Sequence, residues 1–333
     1  MAVTLSLANR TASLPVAYRL YLPQEWADDP GRRQKAGVPE EVTFQTKPEI
    51  ALDQIRVAAE GGLPRGVVLM DAGYGTDTRL RTSVAALGLQ YIAGVLSNTS
   101  VWAHGREPLP PKLTRRDGEH QPTSVKALAL ALAQEIWTEI SWREGTADRL
   151  TSRFARVRVR AAHRDYWLGE SRLPEWLLIE WPEGEQEPTK YWLSTLPEDI
   201  GFERLVELTK LRWRIERDYQ ELKQELGLGH YEGRGWRGFH HHASLCMAAY
   251  GFLVAERVRI PPSACVLPKL AAIAIPAGDR PRGAPGSTRA ARSELHRYRA
   301  QDTHRSPGPQ PRAMSVLCNA DPHTSPSLPL VTQ

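Results

Sequence analysis

Arg212, Glu216 and Lys223 stand four and seven positions apart in a stretch of helical periodicity, which puts their side chains on one helix face. A carboxylate flanked by two cations suits metal-dependent phosphoryl transfer. In that chemistry carboxylates hold two divalent ions about 3.5–4 Å apart, one serving the attacking oxygen and one the leaving oxygen. The cations would hold phosphates. The same spacing also describes an ordinary solvated helix laced with ion pairs. A second carboxylate, Asp71, ends the apolar run GVVLMD (Gly66 to Asp71), so it sits at the C-terminal tip of a buried strand. An aspartate there also serves as a turn former or a helix cap.

The elements that must position these residues can be read on either side of them. Ala2 to Ala8 alternates apolar and small polar residues, and with the run from Pro15 it predicts an antiparallel hairpin. Thr46 and Glu49 form a capping box ahead of a helix that should run to about Glu60 and stop at Gly61-Gly62. Residues 125–142 carry a helical pattern through Leu128, Leu132, Ile136 and Ile140, while 156–161, 175–181 and 190–194 alternate as strands. One helix is expected from Phe202 to about Glu225, then a glycine-rich loop, then a second helix from His240 to about Arg257. The pattern makes an α/β core, residues 1–100 and 201–260, around a β-rich insertion, 101–200.

The net charge of +5 does not locate a partner. Nine of the 43 Lys and Arg residues but only four of the 38 Asp and Glu residues lie beyond residue 260, so the body before it is balanced. The last 73 residues also hold twelve of the 26 prolines and no sustained periodicity, which predicts a disordered or out-of-frame tail over 261–333. Cys246, Cys265 and Cys318 are odd in number and far apart, which argues against a disulfide framework or a zinc site. With no long apolar span and no signal-like start, a cytoplasmic protein without a membrane anchor is expected.

The string LTKLRWRIERDYQELKQELGLGHYEGRGWRGFHHH resembles the third-carboxylate region of insertion-sequence DDE transposases, the family 701 group and the related family 4 group. The family 4 signature is Tyr, two residues, Arg, three residues, Glu, six residues, Lys. Arg212, Glu216 and Lys223 match its last three terms, whereas Thr209 stands where the tyrosine would be. The resemblance extends from about Ala2 to Arg259 through LYLPQEW, TKPEIALDQI and VVLMDAGYG. It implies an RNase H-like mixed sheet with flanking helices, interrupted by the β-rich insertion. It further implies Asp71 and Glu216 as catalytic, metal-binding carboxylates for two Mg²⁺ or Mn²⁺ ions. Arg212 and Lys223 would be DNA-binding residues, the partner DNA being the terminal inverted repeats of the element, cut by an assembly of at least two subunits.

Proteins of that kind carry a first catalytic aspartate on a strand ahead of the hairpin with which this chain starts. Asp28 and Asp29 lie after the second strand in a polar loop and do not replace it. Two carboxylates in place of three predict weakened metal binding and an inactive or nearly inactive chain, with a sheet edge left exposed. The alternative is a non-catalytic remnant that binds DNA or multimerises. Other features have plainer readings. Trp102, Trp137, Trp142, Trp167, Trp176, Trp181 and Trp192 crowd the insertion, where one could stack on a flipped base and most must be core. His240, His241 and His242 point in different directions on a helix and cannot converge on an ion. Gly227, Gly229, Gly233, Gly235 and Gly238 match no phosphate loop and read as a loop after the helix.

Overall fold

The computed structural model describes residues 1–9, 12–106, 121–143, 149–162 and 172–260. Residues 261–333, for which a disordered or out-of-frame tail is expected, lie outside this range, as do Trp167, Cys265 and Cys318. The described residues from Met1 to Val258 belong to one compact unit.

The hairpin forms as expected. β1 (Ala2–Ala8) pairs antiparallel with β2 (Ser13–Leu20), with a bulge between Leu5 and Ser6. Two short helices come next, α1 (Gln24–Ala27) and α2 (Pro30–Ala36), the latter capped by Asp29 and ended by Gly37 in the left-handed region. The capping box then starts α3 (Lys47–Glu60): Thr46 accepts from the Glu49 amide, and Glu49 accepts from the Thr46 amide at 2.7 Å. Ile50, Ala51 and Ile55 turn inward from α3 and pack on Val3 and Leu5 of β1.

β3 (Val68–Met70) is buried throughout and pairs parallel with β4 (Tyr91–Val95), the crossover being made by α4 (Ala72–Gly75) and α5 (Thr78–Ala86). β4 continues a sheet with β5 (Ser100–Ala103), β6 (Thr123–Ser124), β7 (Thr138–Arg143), β8 (Arg149–Ala161), β9 (Glu175–Pro182) and β10 (Lys190–Ser194). The order is β3-β4-β10-β9-β8-β5-β6, with β7 also on β8. All pairs but β3-β4 are antiparallel, so the sheet is mixed. Helices flank it: α6 (Val125–Leu130), α7 (Phe202–Lys210), α8 (Trp213–Gln224) and α9 (Trp236–Arg259). This mixed α/β arrangement is compatible with an RNase H-like fold.

Two expectations fail. The helix over 125–142 ends at Leu130, and after a 3-10 turn at Gln134–Ile136 the chain becomes β7. There the period-2 placement of Ile140 and Trp142, both buried, outweighs the period-3.6 pattern that Leu128, Leu132, Ile136 and Ile140 also satisfy. The long helix over 202–225 is two helices. Between them Leu211, Arg214 and Ile215 donate their amides three residues back, to Leu208, Leu211 and Arg212, a tighter register that breaks the α-helical ladder. The expected sheet edge is present in the strand pairing but is buried. β1 has β2 as its one strand partner and β3 has β4, yet Val3, Thr4, Leu5 and Ser6 are at most 3% exposed and β3 is fully buried.

Candidate functional site

Asp71 leaves β3 in an extended conformation and caps α4. Its Oδ1 accepts from the amides of Gly73 at 2.8 Å and Tyr74 at 3.2 Å. The residue is thus both the strand-tip carboxylate and a helix cap. The four-residue turn it caps lies flat on β4 because both contact points are glycines. A methyl group on Gly75 would reach 2.1 Å from the Gly94 carbonyl oxygen, and one on Gly94 would reach 3.0 Å from the Ala72 nitrogen. Tyr74 is buried beside the turn. Its hydroxyl is pushed up by burial and then by the Asp71 charge, and it has no hydrogen-bond partner.

Glu216 occupies the first turn of α8. Ile215, Asp218 and Leu222 turn inward from that helix, which leaves Glu216 and Lys223 facing solvent. Arg212 precedes the helix instead of riding in its middle, and its Nη2 donates to Glu216 Oε1 at 2.6 Å. Side-chain exposure of 34% for Arg212 and 66% for Glu216 makes this a surface pair, the bland reading of the same spacing.

One buried cluster links the two carboxylate segments. Leu69, two residues before Asp71, and Ile215, one before Glu216, both belong to it, together with Ile92, Leu178, Leu205 and Leu208. The donor chemistry of the pair, carboxylate oxygens, suits a hard divalent ion such as Mg²⁺ or Mn²⁺. Among the described residues no group of three or more His, Cys, Asp or Glu side chains is placed to hold a metal ion.

Two residues missed from the sequence anchor the segment that carries Glu216. Asp218 is 3% exposed and accepts from Ser13 Oγ at 2.7 Å and Tyr250 Oη at 2.9 Å, tying the hairpin, α8 and α9 together. Burial pushes its carboxyl above the usual range against the pull of those hydrogen bonds, and its Oδ2 has no partner. The signal was present: Asp218 falls three residues after Ile215 and four before Leu222, on the apolar stripe. Beside it, burial raises the Glu221 carboxyl, but Arg257 and Arg217 outweigh this and leave it below the usual range. Lys210, ahead of α8, places its ammonium 2.6 Å from buried Glu180 and 4.2 Å from the Trp142 ring centre.

The remaining candidates take plain roles. Trp102 and Trp142 are buried, while Trp137, Trp176, Trp181 and Trp192 are half-buried; Arg153 stacks on Trp181 at 4.2 Å and Arg156 on Trp176 at 4.7 Å. Among the described tryptophans of this set none is fully exposed. His240 accepts from the Leu20 amide at 3.2 Å, His242 lies 3.0 Å from the Gly227 carbonyl, and His241 is exposed, so the three diverge. In the glycine-rich loop, Gly233 and Gly238 make room for the Tyr231 ring, whose hydroxyl donates to the Gly235 carbonyl at 3.0 Å. Cys246 is buried and donates to the Leu226 carbonyl.

Residues 1–149 match the protein family described as DDE superfamily endonuclease. The match includes Asp71 and its turn, stops short of α8, and spans less than half of the chain. It supports a transposase-like nuclease of the DDE type, a class that acts on DNA and typically uses divalent metal ions. No curated protein matches the chain. Among the described residues, no helix is long and apolar enough to cross a membrane.

Proposed function

We propose that this chain carries part of the catalytic core of an insertion-sequence transposase of the family 701 type, which cuts and joins DNA at element ends. Asp71 and Glu216 supply metal-binding carboxylates, and Arg212 and Lys223 contact DNA phosphates. Residues 101–200 are the β-rich insertion between the two carboxylate segments. The observation that carries the reading is the shared cluster that holds Leu69 and Ile215, which roots both segments in one core. A Mg²⁺ or Mn²⁺ ion held there would stabilise charge on the attacking and leaving oxygens of a phosphodiester. The protein's own part is to hold the carboxylates and orient the strand through Arg212 and Lys223.

With two carboxylates named for the site, the reading predicts weak metal binding and slow cleavage. This two-member donor set also favours a second reading, a DNA-binding or multimerising transposase remnant. Binding and cleavage of terminal inverted-repeat DNA in Mn²⁺ separate the readings. Retained binding that Lys223→Ala weakens, without cleavage, fits the remnant; metal-dependent nicking abolished by Asp71→Asn fits a competent nuclease. A chain that ignores DNA at low salt, where phosphate contacts are strongest, overturns both.

A further inference from the structure

We propose that Arg81 is the positioning residue for the Asp71 carboxylate, gripping from inside the core the far end of the turn that Asp71 caps. The inference rests on the reading of Asp71 as a metal-binding carboxylate. Arg81 lies on α5, is 2% exposed, and is among the largest fully buried side chains of the protein. Its Nη1 donates to the Gly75 carbonyl, and its Nη2 donates to Thr78 Oγ1 at 3.3 Å.

Gly75 is therefore bonded at both ends of its residue. Its amide donates to the Asp71 carbonyl at 2.6 Å, and its carbonyl accepts from Arg81. Gly94 closes the opposite side of the same turn with backbone against backbone. Asp71 Oδ1 then meets the Gly73 and Tyr74 amides, whose direction depends on this clamped turn. The path from the guanidinium to the carboxylate runs through one turn of main chain.

The clamp has its own counter-charge. Glu175, 4% exposed, accepts from Tyr91 Oη at 2.7 Å, and the Arg81 charge acts on both groups. Arg172 stands on the same carboxylate's charge and donates to Thr82 Oγ1 at 3.0 Å. Burying such a group is expensive, and Arg81 Nε is left without a partner. Apolar side chains already serve packing on either side, at Leu80 and Val84. What an ion adds here over a hydrophobic residue is directed donors, and their closer hold is on the Gly75 carbonyl, with Thr78 Oγ1 the more distant partner.

The test uses the whole chain with Arg81→Met, with Arg81→Lys, which keeps the charge, and with Ile55→Val as a core variant remote from the turn. Amide hydrogen exchange is read at Gly73, Tyr74 and Gly75, and Mn²⁺ affinity is read by titration beside Asp71→Asn. Arg81→Met is expected to speed exchange at these three amides at least tenfold beyond its global stability loss and to weaken Mn²⁺ binding about 10-fold, as loss of an outer-shell partner does. Arg81→Lys falls between it and the wild type, and Ile55→Val changes exchange only in proportion to its stability loss. Exchange at the turn that merely tracks global stability in both Arg81 variants overturns the positioning role. If the turn loosens but Asp71→Asn binds Mn²⁺ as the wild type does, Arg81 still positions Asp71 and it is the metal reading that fails.

Discussion

Gly75 rests on the carbonyl of Gly94, with no room for a single added carbon between them. The turn behind Asp71 is thereby fixed to the neighbouring strand by contact of main chain with main chain. Gly75→Ala should cost about 3 kcal/mol or more, at the upper end of overpacking penalties, because the obstructing atom is backbone and cannot swing away. Urea denaturation compares it with Gly62→Ala, where no atom lies within 4 Å and the cost comes instead from the positive φ of that residue.

Glu216→Gln should leave stability within about 0.5 kcal/mol of the wild type, since its ion pair with Arg212 is a surface pair. A thermal melt checks this. The near-absence of a stability effect makes any change in metal or DNA binding attributable to the carboxylate.

Lys210 and Glu180 behave in the opposite way. Their side chains are 9% and 2% exposed, and the ammonium is ringed by Trp142, Phe154 and Trp192. Lys210→Met should cost about 3 kcal/mol because it strands the Glu180 charge, although Lys190 lies 3.6 Å away as a weaker, more exposed partner. Adding Glu180→Gln should recover part of that loss, so a double-mutant cycle in urea is the measurement.

Asp218 makes stability depend on pH. Its folded carboxyl titrates above the unfolded one, so between the two values the folded state holds the extra proton. Stability from this group is therefore greatest at acid pH and falls as pH rises from the ordinary carboxylate range through the folded pKa. Asp218→Asn keeps an acceptor for Ser13 and Tyr250 and removes the charge. It should melt higher than the wild type at pH 8, with the gap closing towards pH 5.

The sequence made legible what depends on local chemistry. Thr46 and Glu49 announced α3, the alternation at 175–181 and 190–194 announced β9 and β10, and the tip of the GVVLMD run placed Asp71. It failed where two periods coincide, as in Leu128 to Ile140, and where the decisive partner is distant. The break before α8 falls in a stretch of continuous helical periodicity, next to a lysine whose partner Glu180 is thirty positions away. The partners of Arg81 and Asp218 were invisible for the same reason, since Tyr91, Glu175, Ser13 and Tyr250 meet them only in the fold; of Asp218 itself only its place on the apolar stripe could be read.

Mn²⁺ titration of the whole chain, followed by electron paramagnetic resonance beside Asp71→Asn and Glu216→Gln, puts the proposed pairing of these two carboxylates to the most direct trial. If Asp71 and Glu216 are metal ligands, the wild type binds Mn²⁺ weakly, and each substitution removes that binding while leaving the melting profile nearly intact for Glu216→Gln. If both variants bind Mn²⁺ as the wild type does, the two carboxylates are a helix cap and a surface ion-pair partner, and the nuclease reading of this site is wrong.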